Sequence, residues 1–199
     1  MEEIHESLWN TLSDLDPQET CRRCGVAFHE ESRGYLVDFL KERYLVVPLE
    51  RKIEATRGFW ENPSHGLKLA IINYLLNAKD IPLSGKWVQM KDMSGGSCFA
   101  RSHKLSIDPL ISKFGYNSKL FLERGLSIGG QKGSYGDASL IFPALPRIPI
   151  LFILWEGDEE FPPRMSVLFD GGANQHMGLD ALFMLAEEIC LILSSHPVS

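Results

Sequence analysis

The sequence predicts an α+β fold: a single domain over residues 1–199, with a largely antiparallel sheet, an N-terminal hairpin and several packing helices. Three observations carry this. Strand-like and helix-like segments come in runs, without the regular βαβ alternation that builds parallel sheets. Residues 150–155 are apolar at every position, as in a central strand covered on both faces. Residues 64–78 place Leu67, Ala70, Ile71, Tyr74, Leu75 and Ala78 on one broad helical face.

The elements follow in order. Ile4, Leu8, Trp9 and Leu12 have helical spacing, so a short amphipathic helix is expected over 2–15. Asp16-Pro17-Gln18-Glu19 opens a second short helix with a cap, a proline suited to the first turn and a capping-box glutamate; Gly25 stops it. Residues 34–40 and 43–47 are rich in β-branched and aromatic side chains and flank Lys41-Glu42, which reads as an antiparallel hairpin. Asn62-Pro63 precedes the helix at 64–78. Residues 83–90 form a turn and a short strand, and Ser94-Gly95-Gly96-Ser97 a flexible loop. Short helices are expected at 107–114 and 118–124, stopped by Gly115 and Gly125. After a glycine-rich loop at 126–137, strands are expected at 138–142, 150–156 and 165–169, with Pro143, Pro146 and Pro149 outside their interiors. A final helix runs over 179–194.

Length and composition narrow the function classes. A chain of 199 residues can bury roughly 70% of its unfolded surface, so it needs no disulfide or metal staple. Hydrophobic and charged fractions of 44% and 23% are ordinary for a globular protein. A net charge of −6 repels phosphate backbones, and Arg22-Arg23 and Arg51-Lys52 are too short for a phosphate-tracking stripe, so no nucleic-acid partner is expected. Met1-Glu2-Glu3-Ile4-His5 lacks an apolar signal-peptide core, and the most apolar run, 148–155, is too short for a membrane span. Four cysteines make no disulfide framework, and a cytoplasmic location is expected.

Three stretches carry candidate chemistry. Cys21-Arg22-Arg23-Cys24 places two thiols one helical turn apart, the geometry of half a zinc site or a dithiol redox pair, with His29 as a further ligand. No second CxxC exists, and the residues favour two half-buried helix cysteines. The loop Gly129-Gly130-Gln131-Lys132-Gly133-Ser134-Tyr135-Gly136-Asp137 brings backbone N–H groups and Lys132 towards an anion, yet matches no phosphate-binding fingerprint. Its plain alternative is a loop of positive-φ positions between packed elements. The acidic turn Glu156-Gly157-Asp158-Glu159-Glu160-Phe161, with Asp170 beyond it, suits oxygen ligation of a divalent metal or an acid/base pair; a solvated turn is the alternative. Candidate metal ligands are thus Asp158, Glu160 and Asp170, and separately Cys21 and Cys24. The six histidines do not pair at helical spacing, Ser97 lacks a nucleophile elbow, and Cys98 near His103 lacks any family signature. Trp60, Trp87 and Trp155 are expected in the core or lining a pocket.

Read together, several segments resemble one family. They are Tyr35-Leu-Val-Asp-Phe-Leu, Tyr74-Leu-Leu, Leu83-Ser-Gly-Lys-Trp87, Gly129-Gly130 with Gly136-Asp137-Ala138, Leu145-Pro-Arg-Ile-Pro149, Trp155-Glu-Gly-Asp158-Glu-Glu160-Phe161 and Leu168-Phe-Asp170. The pattern, over about residues 24–182, is similar to a bacterial and archaeal domain of unknown function, number 3786, found largely in anaerobes. The resemblance implies a context of corrinoid or one-carbon metabolism and, in some members, fusion to an iron–sulfur cluster domain. This chain lacks a four-cysteine cluster motif, so a cluster partner would be another chain. The resemblance supplies no active site and no identified cofactor.

The expected function is a binding or accessory module for a small molecule or cofactor, tetrapyrrole-like or redox-linked, or for a redox-protein partner. Its pocket would be lined by Gly129, Gly130, Lys132, Tyr135, Asp137, Trp155, Asp158 and Glu160. The alternative is a metal-dependent enzyme using Asp137, Asp158, Glu160 and Asp170; a third reading gives these turns a packing role only. Each functional reading requires residues 130–137 and 155–160 to share one concave surface.

Overall fold

The computed structural model describes residues 4–60 and 62–195. Residues 2 and 3 of the expected first helix, and His196, lie outside them. The fold is α+β. A first sheet has the order β1 (Ala27–His29), β2 (Gly34–Phe39), β3 (Glu42–Val47), β4 (Lys52–Ala55). A second has the order β5-β9-β8-β7-β6, built from β5 (Trp87–Val88), β6 (Gln131–Lys132), β7 (Ala138–Leu145), β8 (Ile148–Trp155) and β9 (Arg164–Asp170). Every strand pair is antiparallel. The helices are α1 (Glu6–Ser13), α2 (Pro17–Cys24), α3 (His65–Asn77), α4 (Gly96–Ser102), α5 (Asp108–Phe114), α6 (Ser118–Ser127) and α7 (Leu179–Ser194). None of the described helices is long and apolar enough to cross a membrane.

Local chemistry sets most element ends. The Asp16 carboxylate accepts from the N–H of Glu19, Pro17 occupies the first turn of α2, and Gly25 ends it at φ 67°. The Glu19 side chain grips Arg22 instead of completing a capping box. Ser64 caps α3 by accepting from the N–H of Leu67. The hairpin β2–β3 forms as expected, with Leu40 in the left-handed region at φ 53°. The core joins α3 and α7, whose inward faces include Ile71, Tyr74, Leu182 and Leu185, to both sheets, which meet through β2 and β7.

The antiparallel strands form two sheets, with β1 and β4 extending the N-terminal hairpin on either side. Three expectations are corrected. The stretch expected as a flexible loop at 94–97 starts α4 instead, where Gly96 approaches the Met90 carbonyl too closely for any Cβ. Gly125 does not stop α6 but sits inside it, packed on Leu140. Pro143 and Pro149 lie within β7 and β8, directly opposite one another. They are tolerated because neither missing N–H faces a partner: β6 pairs with β7 only as far as Ile141, and β9 pairs with β8 only as far as Ile150.

Candidate ligand groove

The strand register divides the second sheet into two faces. Leu140, Phe142, Ile150, Phe152 and Leu154 face the helices. Ser139, Ile141, Pro143, Pro149, Leu151 and Ile153 face the other way, with Trp87 and Asp170 brought to the same side by pairing on the far strands. Half of this outer face is covered by the glycine-rich loop. A Cβ on Gly136 (φ 58°) would lie 2.7 Å from Ile153 Cγ2 and from the Leu154 carbonyl oxygen, and one on Gly133 2.6 Å from the Ser139 hydroxyl. The glycines therefore let backbone lie directly on the sheet.

The loop spends its donors internally. The N–H groups of Gly129, Gly130 and Gly133 donate to the carbonyls of Leu126, Gly125 and Ser139, and that of Tyr135 donates to the Ser139 hydroxyl. They are not free for an anion. Lys132 and Tyr135 are exposed, and Gly129 packs against Leu40 and Lys41 of the first hairpin.

The two expected stretches meet around Gly136 and Asp137. The Asp137 N–H donates to the Leu154 carbonyl, and its Oδ2 accepts from the N–H of Glu156 at 2.8 Å, so Asp137 clips the loop to the start of the acidic turn. Trp155 lies beside Gly136, with the Arg164 guanidinium 4.3 Å over its ring. Beyond this the turn points outward. Glu156 accepts from the N–H of Ser118 at the start of α6. Asp158 accepts from the N–H groups of Phe161 and Glu160, which hold its carboxyl below the usual range. Asp158, Glu159 and Glu160 are all exposed. None of the expected lining residues borders the grooves beside Trp87, Val167 or Asn73.

The metal-ligand set is also dispersed. Asp170 is at the opposite end of β9, roughly 20 Å from the acidic turn at 3.3 Å per residue. It is 4% exposed and fully engaged: Oδ1 accepts from the N–H groups of Ser84 and Gly172, and Oδ2 from the Ser84 hydroxyl and the Gly85 N–H. Burial raises its pKa, but these donors outweigh burial and the net shift is downward. Among the described residues, no three His, Cys, Asp or Glu side chains are grouped to hold a metal ion. Cys24 is buried against the carbonyls of Tyr74 and Leu75, and burial pushes its thiol up to about 11; Cys21 is half-buried and shifted the same way, first by desolvation and then by Glu30.

What the structure does assemble is a groove of about 370 Å³ on the uncovered half of the outer face. Its walls are Trp87, Ile141, Pro143 and Pro149, with Leu83 and Gly85 at one rim and Gln131 at the other. Asp170 closes the floor by anchoring the 84–85 turn that carries Trp87 into β5. Of these, sequence reading singled out Trp87 and Asp170 but not the rest. The available signal was the spacing of Pro143, Pro146 and Pro149, which confines their strands to places where backbone donors are not needed.

One family sequence model, described as a domain of unknown function (DUF3786), matches residues 16–191. The chain belongs to the DUF3786 family. The match spans both sheets and therefore the DUF3786 fold includes the groove, the glycine-rich loop and the acidic turn. No curated protein and no solved structure matches the chain.

Proposed function

We propose that this member of the family is a single-domain binding module whose site is the groove beside Trp87, and that its ligand is a flat, largely apolar small molecule or cofactor. The observation that carries this reading is a ready-formed apolar trough of about 370 Å³, a size typical of ligand sites. Its proline walls are rigid, so little side-chain freedom is lost on binding. The Trp87 indole offers a stacking face, and the Gln131 amide offers one donor and one acceptor group to a polar ring edge. Asp170, already committed to four hydrogen bonds, positions the wall rather than the ligand. The family resemblance implies a corrinoid or redox setting, taken as cytoplasmic, in which conjugated ring cofactors would be present.

Native mass spectrometry of protein purified without oxygen, followed by thermal shift with flavin, porphyrin and corrinoid probes, tests the proposal. At least one probe is expected to raise Tm. Trp87→Ala should weaken that probe about tenfold or more, since a stacked ring is worth roughly 1–3 kcal/mol. Asp158→Ala and Glu160→Ala should bind as the parent does. A probe that survives Trp87→Ala but is lost in Glu160→Ala would move the site to the acidic turn and end the groove reading, as would a panel with no binder.

A further inference from the structure

One edge of the same sheet carries an independent feature. β5 pairs with β9 only through Trp87↔Asp170 and Val88↔Phe169. The Gly171 N–H donates to the Lys86 carbonyl at 2.8 Å. That bond brackets the Trp87–Asp170 pair and makes it the non-hydrogen-bonded kind, so the N–H and C=O of Phe169 face Val88. Alternation along β9 then turns the N–H and C=O of Val167 and Met165 the same way, away from β8. Past Val88 the chain leaves the sheet for the 3₁₀ turn Met90–Asp92. No other backbone group among the described residues bonds to Val167 or Met165 on that side.

These unpaired groups open into a groove of about 510 Å³. Met90, Leu105 and Ile107 supply apolar surface along it. Its titratable groups are Lys91, His103 and Lys104 against the single carboxylate of Asp108, all exposed. Two lysines against one carboxylate make its lining net positive, in a chain of net charge −6. Sheet edges left this way pair readily with another strand.

We infer that the free edge of β9 beside Met165 and Val167 docks an acidic, extended peptide segment of a partner protein, which joins the sheet as a further strand. Residues opposite Val167 and Met165 form the hydrogen-bonded pairs and turn small apolar side chains towards Met90 and Ile107. Carboxylates on the intervening residues meet Lys91 and Lys104. Three residues at about 3.4 Å each bridge the two pairing positions. A nucleic acid lacks the alternating N–H and C=O groups that this edge matches, and the overall charge repels it.

The test uses a labelled peptide, Glu-Val-Glu-Val-Glu, titrated against the whole chain by fluorescence anisotropy, with amide exchange followed at Met165 and Val167. In the free protein those two amides are expected to exchange quickly while those of Ser166 and Leu168, bonded to β8, are protected; peptide should slow both. Binding should weaken as salt rises, and by about tenfold in the surface variant Lys91→Glu with Lys104→Glu. A peptide N-methylated at both valines should not bind. Each of these results overturns the inference: Met165 and Val167 amides protected without peptide, no binding of the acidic peptide, equal binding of Lys-Val-Lys-Val-Lys or the N-methylated analogue, or preferential binding of a thymidine oligonucleotide. A concentration-dependent dimer that protects the Val167 amide would assign the edge to a second copy of this chain, and would equally overturn it. The groove at this edge shares no lining residue with the Trp87 groove, so failure here leaves that reading standing.

Discussion

Glu42 is fully buried, yet its carboxylate is ionised because it collects backbone donors. Its Oε1 accepts from the N–H groups of Arg43 and Arg57 at 2.8 and 2.7 Å, and its Oε2 from those of Phe59 and Trp60 at 2.7 and 3.2 Å. Burial pushes its pKa up; the four donors outweigh burial and hold it below the ordinary 4.5. Glu42→Ala leaves all four N–H groups to find water or stay unpaired, and should cost about 3 kcal/mol at pH 7 in urea unfolding. A depressed carboxyl contributes stability that is complete above its unfolded pKa and lost as pH falls through the folded one. The gap between parent and variant should therefore shrink below about pH 4.5, and a gap of the same size at pH 7 and pH 3 would refute the assignment. The thiols make the opposite case. With Cys24 pushed up to about 11 and Cys190 to about 12, almost no thiolate exists at neutral pH. Iodoacetamide at pH 7.5 should label exposed Cys98 in the native protein and reach Cys24 and Cys190 only after unfolding. Mass mapping that finds Cys24 alkylated early, or bridged to Cys21, would restore the dithiol reading.

Elements whose signals are local were legible before any tertiary contact was considered. Asp16, Pro17 and Gly25 bound α2, Ser64 starts α3, and α7 has the limits its apolar run suggests, because capping and periodicity act within a few residues. Elements that depend on a neighbour were not. β1, with three residues, exists only because β2 pairs with it. The helical start at Gly96 follows from its close approach to the Met90 carbonyl. Gly125 is the sharpest example. A lone glycine near the end of an apolar run reads as a stop, but here a Cβ would lie 2.0 Å from Leu140 Cδ1 in a fully buried contact. Alanine ordinarily stabilises a helix interior by about 1 kcal/mol over glycine. Gly125→Ala should instead lower stability by about 1–3 kcal/mol, since Leu140 has no space to retreat into. A Tm at or above the parent's would show that β7 and α6 can separate freely.

Over the whole molecule, Arg147 ties the turn between β7 and β8 to the ends of α2 and α3. Its Nε donates to the Arg23 carbonyl at 2.7 Å, its guanidinium also reaches the carbonyls of Arg22 and Ile81, and it pairs with Asp80. Its own N–H donates to the Tyr74 hydroxyl, which in turn donates to the Cys24 carbonyl. Arg147→Ala should cost about 2–4 kcal/mol, because several carbonyls lose their donor at once. Amide exchange should show α2 losing protection before α7; equal loss in both would mean that Arg147 acts on global stability alone. The sequence by itself determined the types of most elements, the α+β class, the family and the caps, since each rests on nearest neighbours or on a pattern of segments along the chain. It also marked Trp87 and Asp170, though without their meaning. Only the tertiary structure decided that the glycine loop is a cover and that the acidic turn stands apart from Asp170. Only it could show that Trp87, Gln131, Ile141, Pro143 and Pro149 wall one groove. The strand order β5-β9-β8-β7-β6 brings residues from 87 to 170 onto a common face, and such an order arises from long-range pairing and burial that no local spacing encodes.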